Sequence, residues 1–163
     1  MNDLNILSVS HIIIVTLCLL GIVYIPKYFE NSSKSTHQLL AYGIIFFIAI
    51  NQGMDFYREG YLDEWKLGLP LHLCDFSSFA VVVYLLTKRR DFFLFAFFFG
   101  ITGGGMSLLT PDTVYGFPYI GYIQSQIGHS MILLGVTYGI IIDKQRPYLI
   151  DAVSYTHLRA HET

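Results

Sequence analysis

The sequence predicts an all-α protein built as a polytopic bundle of membrane-spanning helices. Three observations carry that expectation. Of the 163 residues, 53% are hydrophobic and only 13% are charged, about half the charged share of a soluble domain. The apolar residues fall in long uncharged runs, and the gaps between the runs hold the charges, prolines and asparagines. A run such as Phe92–Phe99 has no alternation of polar and apolar residues, so barrel strands are excluded and helices remain the economical way to satisfy backbone groups in lipid.

A crossing helix needs about 20 mostly apolar residues. Five stretches meet that length: 6–25, 38–57, 67–87, 92–109 and 119–142. Pro26 with Lys27 ends the first, and Asn31, Ser32 and Ser33 separate it from the second. Arg58, Glu59 and Gly60 close the second; Lys88, Arg89 and Arg90 divide the third from the fourth; Pro111 and Asp112 follow the fourth. The first stretch is a retained helix rather than a signal peptide, because Met1-Asn2-Asp3 is not a basic leader and no small-x-small cleavage site follows.

Basic residues orient the bundle. Lys27 and Lys34, then Lys88, Arg89 and Arg90, then Lys144 and Arg146 share one side if all five stretches cross, against Arg58 and Lys66 on the other. Seven against two places the N-terminus outside and gives a multi-pass protein of the cell membrane. A net charge of −2 with ten basic residues leaves no nucleic-acid footprint. Cys18 and Cys74 both lie in apolar runs, which excludes a disulfide scaffold. The partners implied are membrane lipids, and no cofactor is implied.

Residues 1–151 read as one transmembrane domain, and 152–163 as a tail of foreign appearance. From Val153 the sequence V-S-Y-T-H-L-R-A-H-E-T resembles a translated sequencing adapter. On that reading the natural chain continues beyond residue 151 with further helices. His157 and His161 are set aside as site candidates.

An ionisable group in mid-membrane costs at least ~2.5–3.5 kcal/mol on insertion scales, so each needs a partner or a purpose. Asn51, Asp55 and Arg58 or Glu59 follow helical spacing along one face of the second stretch. They read either as an interhelical seam with an Asp55–Arg58 pair or as a binding face for a polar headgroup. In the third stretch Pro70 marks a helix start, and Cys74 then falls in the second turn. His72 is two residues from Cys74, hence on the opposite side of a regular helix, whereas Asp75 is three from His72 and pairs with it. A base for Cys74 must come from another helix. The fifth stretch supplies Gln124, Ser125, Gln126, His129 and Ser130, with His129 about 15 Å in from the outer end. Gly121, Ser125, Gly128, Gly135 and Gly139 form a small-residue stripe suited to close packing. The run Gly103-Gly104-Gly105 reads either as tight packing or as an unwound cavity-lining segment of the kind transporters use.

By orientation, Asp55, Arg58, His72, Cys74, Asp75, Asp112, Gln124, Gln126 and His129 gather near the external leaflet, while the inner halves look almost wholly apolar. A polar chamber open to the outside follows.

At Leu69-Pro70-Leu71-His72-Leu73-Cys74, then Leu108-Leu109-Thr110-Pro111-Asp112, then Gln124–His129, the chain resembles the YwaF-like family of integral membrane proteins. The resemblance covers roughly residues 38–150. It implies six or seven helices, of which the last one or two, with an Asn-Tyr motif, are absent here. A vertebrate relative of that family is a cysteine-centred phospholipid acyltransferase. The resemblance therefore implies a role for Cys74 and His129. On the leading reading Cys74 is the nucleophile and His129 its base, His72 with Asp75 orients the site or supplies its oxyanion side, and Asp55, Arg58, Asp112, Gln124 and Gln126 hold substrate. Two other classes stand beside it: a non-enzymatic transporter or lipid-binding protein, and a zinc-dependent lipid hydrolase using His72, Cys74 or Asp75, Asp112 and His129.

Overall fold

The computed structural model describes residues 5–58, 73–148 and 151, the side chains of 55–58 excepted. These residues form five helical rods and no strand. We label them α1 (Val9–Phe29), α2 (Lys34–Arg58), α3 (Leu73–Thr87), α4 (Arg90–Leu109) and α5 (Ile120–Ile141). Each expected stretch overlaps one rod, although α1, α2 and α4 run beyond the expected bounds. The expected start of the third, 67–72, lies outside the described residues, as do the tail 152–163 and His72.

α1 and α4 are long and apolar enough to cross a membrane; α3, over its described length, is apolar but shorter. α5 runs for 22 residues but falls short of that apolarity, because Gln124, Ser125, Gln126 and His129 dilute it. Its position explains why: α5 is the central rod, touched by all four others, so its polar groups meet protein rather than lipid.

The outward faces tell the same story. Leu17, Val23 and Tyr24 on α1 and Leu39, Tyr42 and Phe46 on α2 are exposed, while His11, Gln124, Gln126 and Ser130 are buried. Polar groups inside and large apolar side chains outside is an arrangement that water would not tolerate over such an area. The core proper joins Ile44 and Ile48 of α2, Val81 and Tyr84 of α3, Phe93 of α4, and Ile132 and Val136 of α5.

α1 does not stop before Pro26, as the sequence leads one to expect, but continues to Phe29. A proline inside a helix removes the bond to the carbonyl four residues back, here Ile22. That carbonyl instead accepts from Thr137 Oγ1 of α5 at 2.8 Å. A side chain from the neighbouring rod replaces the missing donor, and the helix runs on. The N-termini of α1 and α2 are capped by hydroxyls: Ser8 accepts from the His11 N–H and Ser33 from the Thr36 N–H.

The small-residue stripe on α5 works as packing. A Cβ at Gly135 would lie 2.3 Å from Val81 Cγ1, and one at Gly139 would lie 2.8 Å from the Phe93 ring. α4 stays helical through its glycines. Its middle, Ala96–Gly104, is wound as a π-helix, and Gly100 lets α5 approach so closely that a Cβ there would sit 2.8 Å from Ile132 Cγ2.

The end that the sequence expectation places inside is less apolar than expected. Tyr84 and Tyr138 are 1% and 2% exposed, and their hydroxyls enter a network. Asp143 accepts from Tyr84 Oη and from Lys88 Nζ, each at 2.7 Å. Tyr138 Oη donates to the His37 carbonyl, and the Lys88 ammonium stands 4.5 Å from the centre of the Tyr138 ring. Tyrosine reads as apolar in a run of hydrophobic residues, yet a buried hydroxyl still needs a partner.

Candidate functional site

The opposite end of the bundle gathers the first turns of α1, α3 and α5 with the last turns of α2 and α4. Its hydrogen bonds run mostly from neutral side chains to backbone carbonyls. His11 on α1 is 5% exposed. Its Nε2 lies 3.0 Å from the Leu109 carbonyl and its Nδ1 2.8 Å from Tyr122 Oη. A carbonyl only accepts, so Nε2 carries the proton, and in neutral His11 Nδ1 accepts from the tyrosine. Gln126 Nε2 donates to the Leu108 carbonyl at 3.3 Å. Two of the carbonyls that every helix leaves unpaired at its C-terminus are thus capped on α4 by side chains from α1 and α5.

Gln126, expected to hold substrate, also holds the end of α4. One capacity remains open: its buried Oε1 has no hydrogen-bond partner among the described residues. Gln124 donates to the Asn51 carbonyl of α2 at 3.4 Å. Asn51 itself lies so close to α5 that a Cβ on Gly128 would be 2.5 Å from its Nδ2. Asp75 accepts from Gln52 Nε2 at 3.1 Å, which ties α3 to α2. Asp112 is exposed in the loop after α4. His72 and the side chains of Asp55 and Arg58 lie outside the described residues.

Cys74 is half-buried at the start of α3. Its Sγ faces α4: Ser107 Oγ stands 3.9 Å away, and a Cβ added to Gly103, one turn earlier, would lie 3.4 Å from the sulfur. His129 on α5 lies against the next residue of the same rod, its carbonyl 3.8 Å from where a Cβ on Gly104 would be. Cys74 Sγ and the His129 backbone carbonyl thus flank consecutive glycines of α4, and no hydrogen bond joins the two side chains. His129 Nδ1 lies 2.8 Å from the Ser125 carbonyl and 3.3 Å from Ser125 Oγ. The carbonyl requires Nδ1 to carry a proton, and in the neutral ring that leaves Nε2 as a bare lone pair. No described residue bonds it.

Two groups here escape a reading of the sequence. Ser107 carries no signal beyond its spacing from Gly103. His11 carries one: it is an ionisable residue in an apolar run, the same argument that singles out His129. No three of the described histidine, cysteine and acidic residues stand close enough together to hold a metal ion.

No curated protein and no solved structure matches the chain. A family does: residues 6–157 match the TMEM164 family, and the match ends inside the 152–163 tail. With 6–157 of its 163 residues matched, and two helices of membrane-crossing length and apolarity, the chain belongs to the TMEM164 family and is a membrane protein.

Proposed function

We propose that all five rods cross the cell membrane, with the N-terminus outside, and that the polar end receives a phospholipid headgroup for Cys74-centred acyl transfer. The observation that carries this reading is the fixed proton on His129. With Nδ1 donating to the Ser125 carbonyl, Nε2 is free to take the Cys74 proton once the two side chains close on a substrate.

In the first half-reaction the thiol proton passes to His129 Nε2 and Sγ bonds the acyl carbon. The ester C–O bond breaks, and His129 returns the proton to the departing alkoxide of a lysolipid. In the second, an acceptor hydroxyl gives its proton to His129 and attacks the thioester. The new ester forms, and the proton returns to the Cys74 thiolate. Asp75, held by Gln52, and His72 serve to orient the site; Asp55, Arg58, Asp112 and Gln124 serve to hold the headgroup. The three motifs that resemble the YwaF-like family, with its cysteine-dependent relative, support the same assignment.

The test is a phospholipid carrying a clickable acyl chain, incubated with purified protein in lipid nanodiscs. A hydroxylamine-sensitive label on Cys74, absent in Cys74→Ala, is the expected result. Acyl transfer undiminished in that variant overturns the mechanism. The π-wound glycine segment of α4 favours a second reading, a non-enzymatic lipid transporter, for which lipid would cross the bilayer with no label on Cys74. A zinc hydrolase is separated from both by metal analysis of the purified protein.

A further inference from the structure

The most revealing feature beyond the Cys74–His129 assignment is how the sulfur is held. Among the described residues its hydrogen-bond partner is on α4, not on α5: Ser107 Oγ, 3.9 Å away. Ser107 stands four residues after Gly103, so the two share a face of the rod. That face is the one that meets the thiol, with Gly103 giving the sulfur room and Ser107 giving it a hydroxyl. The winding changes at this point. The π-helix ends at Gly104 and the last turns, Gly105–Leu109, are α-helical, which sets the angle at which Ser107 follows Gly103. The end of the rod is pinned by His11 on the Leu109 carbonyl and Gln126 on the Leu108 carbonyl. Ser107 therefore sits between two anchored carbonyls and a glycine whose place is fixed by packing.

We infer that Ser107 is a positioning residue for Cys74: its hydroxyl donates to the sulfur once the thiol has lost its proton, and holds it beside Gly103. The role rests on the reading of Cys74 as the nucleophile. A thiolate accepts a hydrogen bond far better than a thiol does, so the contact strengthens when the sulfur becomes reactive. His11, on the far rod, and Gln126 maintain the geometry without touching the sulfur.

The experiment reads alkylation of Cys74 by iodoacetamide in the intact, detergent-solubilised chain, by mass spectrometry of the Cys74 peptide. The S–C bond forms, iodide leaves, and the thiol proton goes to solvent. Ser107→Thr and Ser107→Val have nearly the same shape and differ in the hydroxyl; Ser107→Ala gives the same comparison without added bulk, should valine not pack. Near neutral pH the valine or alanine variant reacts about tenfold more slowly, the ratio expected for one hydrogen bond to a charged acceptor. At strongly alkaline pH, where the thiol is ionised in every variant, the rates converge. The threonine variant tracks the wild type at both. Equal rates for all variants near neutral pH overturn the inference. So does equal slowing of threonine and valine at every pH, which marks a packing effect. Because no lipid takes part, a chain that fails to form the acyl label but shows the Ser107 dependence removes the acyl-transfer reading alone.

Discussion

The two ends of the bundle satisfy their polar groups by different means. At the charged end, ions meet ions: Lys88 bonds Asp143, Arg90 bonds Asp151, Lys144 bonds Glu30 and Arg89 bonds Asp91. Asp143 takes two donors at once, and two buried tyrosines complete the network. At the polar end, among the described residues, neutral side chains mostly bond backbone carbonyls, and His129 Nε2 and Gln126 Oε1 keep unused hydrogen-bonding capacity. The first end closes a structure. The second holds groups in place and leaves hydrogen-bonding capacity unused, as the proposed acyl transfer would require.

Substitutions at the two ends should therefore report on different quantities. His129→Ala is the largest expected effect: on the proposed mechanism, loss of the base lowers acyl transfer about 10²–10⁴-fold, with the melting temperature in detergent little changed. If activity and stability fall together in that variant, the division between the ends is wrong. Gly135→Val is the mirror case. A Cβ there would already lie 2.3 Å from Val81, so the larger side chain forces the α3–α5 seam apart and costs about 3 kcal/mol or more. Thermal unfolding would show it whether or not the protein has any activity.

Such contrasts show what was legible in the sequence. The five rods were, because apolar length and charged punctuation are local signals. So was the gathering of Cys74, Asp75, Gln124 and His129 at one end, which follows from alternating chain direction. Three features were not. His11 finds its partners 98 and 111 residues away, and nothing near it in sequence announces them. Tyr84 and Tyr138 look like apolar filler until their hydroxyls are followed to Asp143 and the His37 carbonyl. Pro26 reads as a stop, but it is tolerated because Thr137, on another rod, supplies the hydrogen bond the proline cannot.

That last pair gives a sharper test of how far neutral side-chain bonding extends along the seam between α1 and α5. Thr137→Val leaves the Ile22 carbonyl without its donor and should cost about 1–2 kcal/mol. In a Pro26→Ala background residue 26 regains an N–H that bonds the same carbonyl, and Thr137→Val should then cost markedly less. A double-mutant cycle in detergent reads the difference. Purely additive costs would mean that Thr137 does not stand in for the missing backbone donor.

The smallest effect belongs to the ion pair between Glu30 and Lys144. Glu30 sits at the C-terminal end of α1, and Lys144 follows α5 in a left-handed backbone conformation, φ 54°. Such a conformation disfavours a side chain, and the lysine that occupies it reaches back to the glutamate. The hydrogen bond and the positive charge of Lys144, with a lesser contribution from Lys27, hold the Glu30 carboxyl below its ordinary value of 4.5. A carboxylate lowered on folding stabilises the folded chain fully above its unfolded value, and that contribution is lost as pH falls through the folded one. The pair is exposed, so salt screens it and the gain is slight. Melting temperature in detergent should fall more steeply below pH 4.5 in the wild type than in Lys144→Met, and added salt should narrow the gap. Identical acid profiles would mean that the Glu30–Lys144 pair contributes nothing to the closure of the charged end.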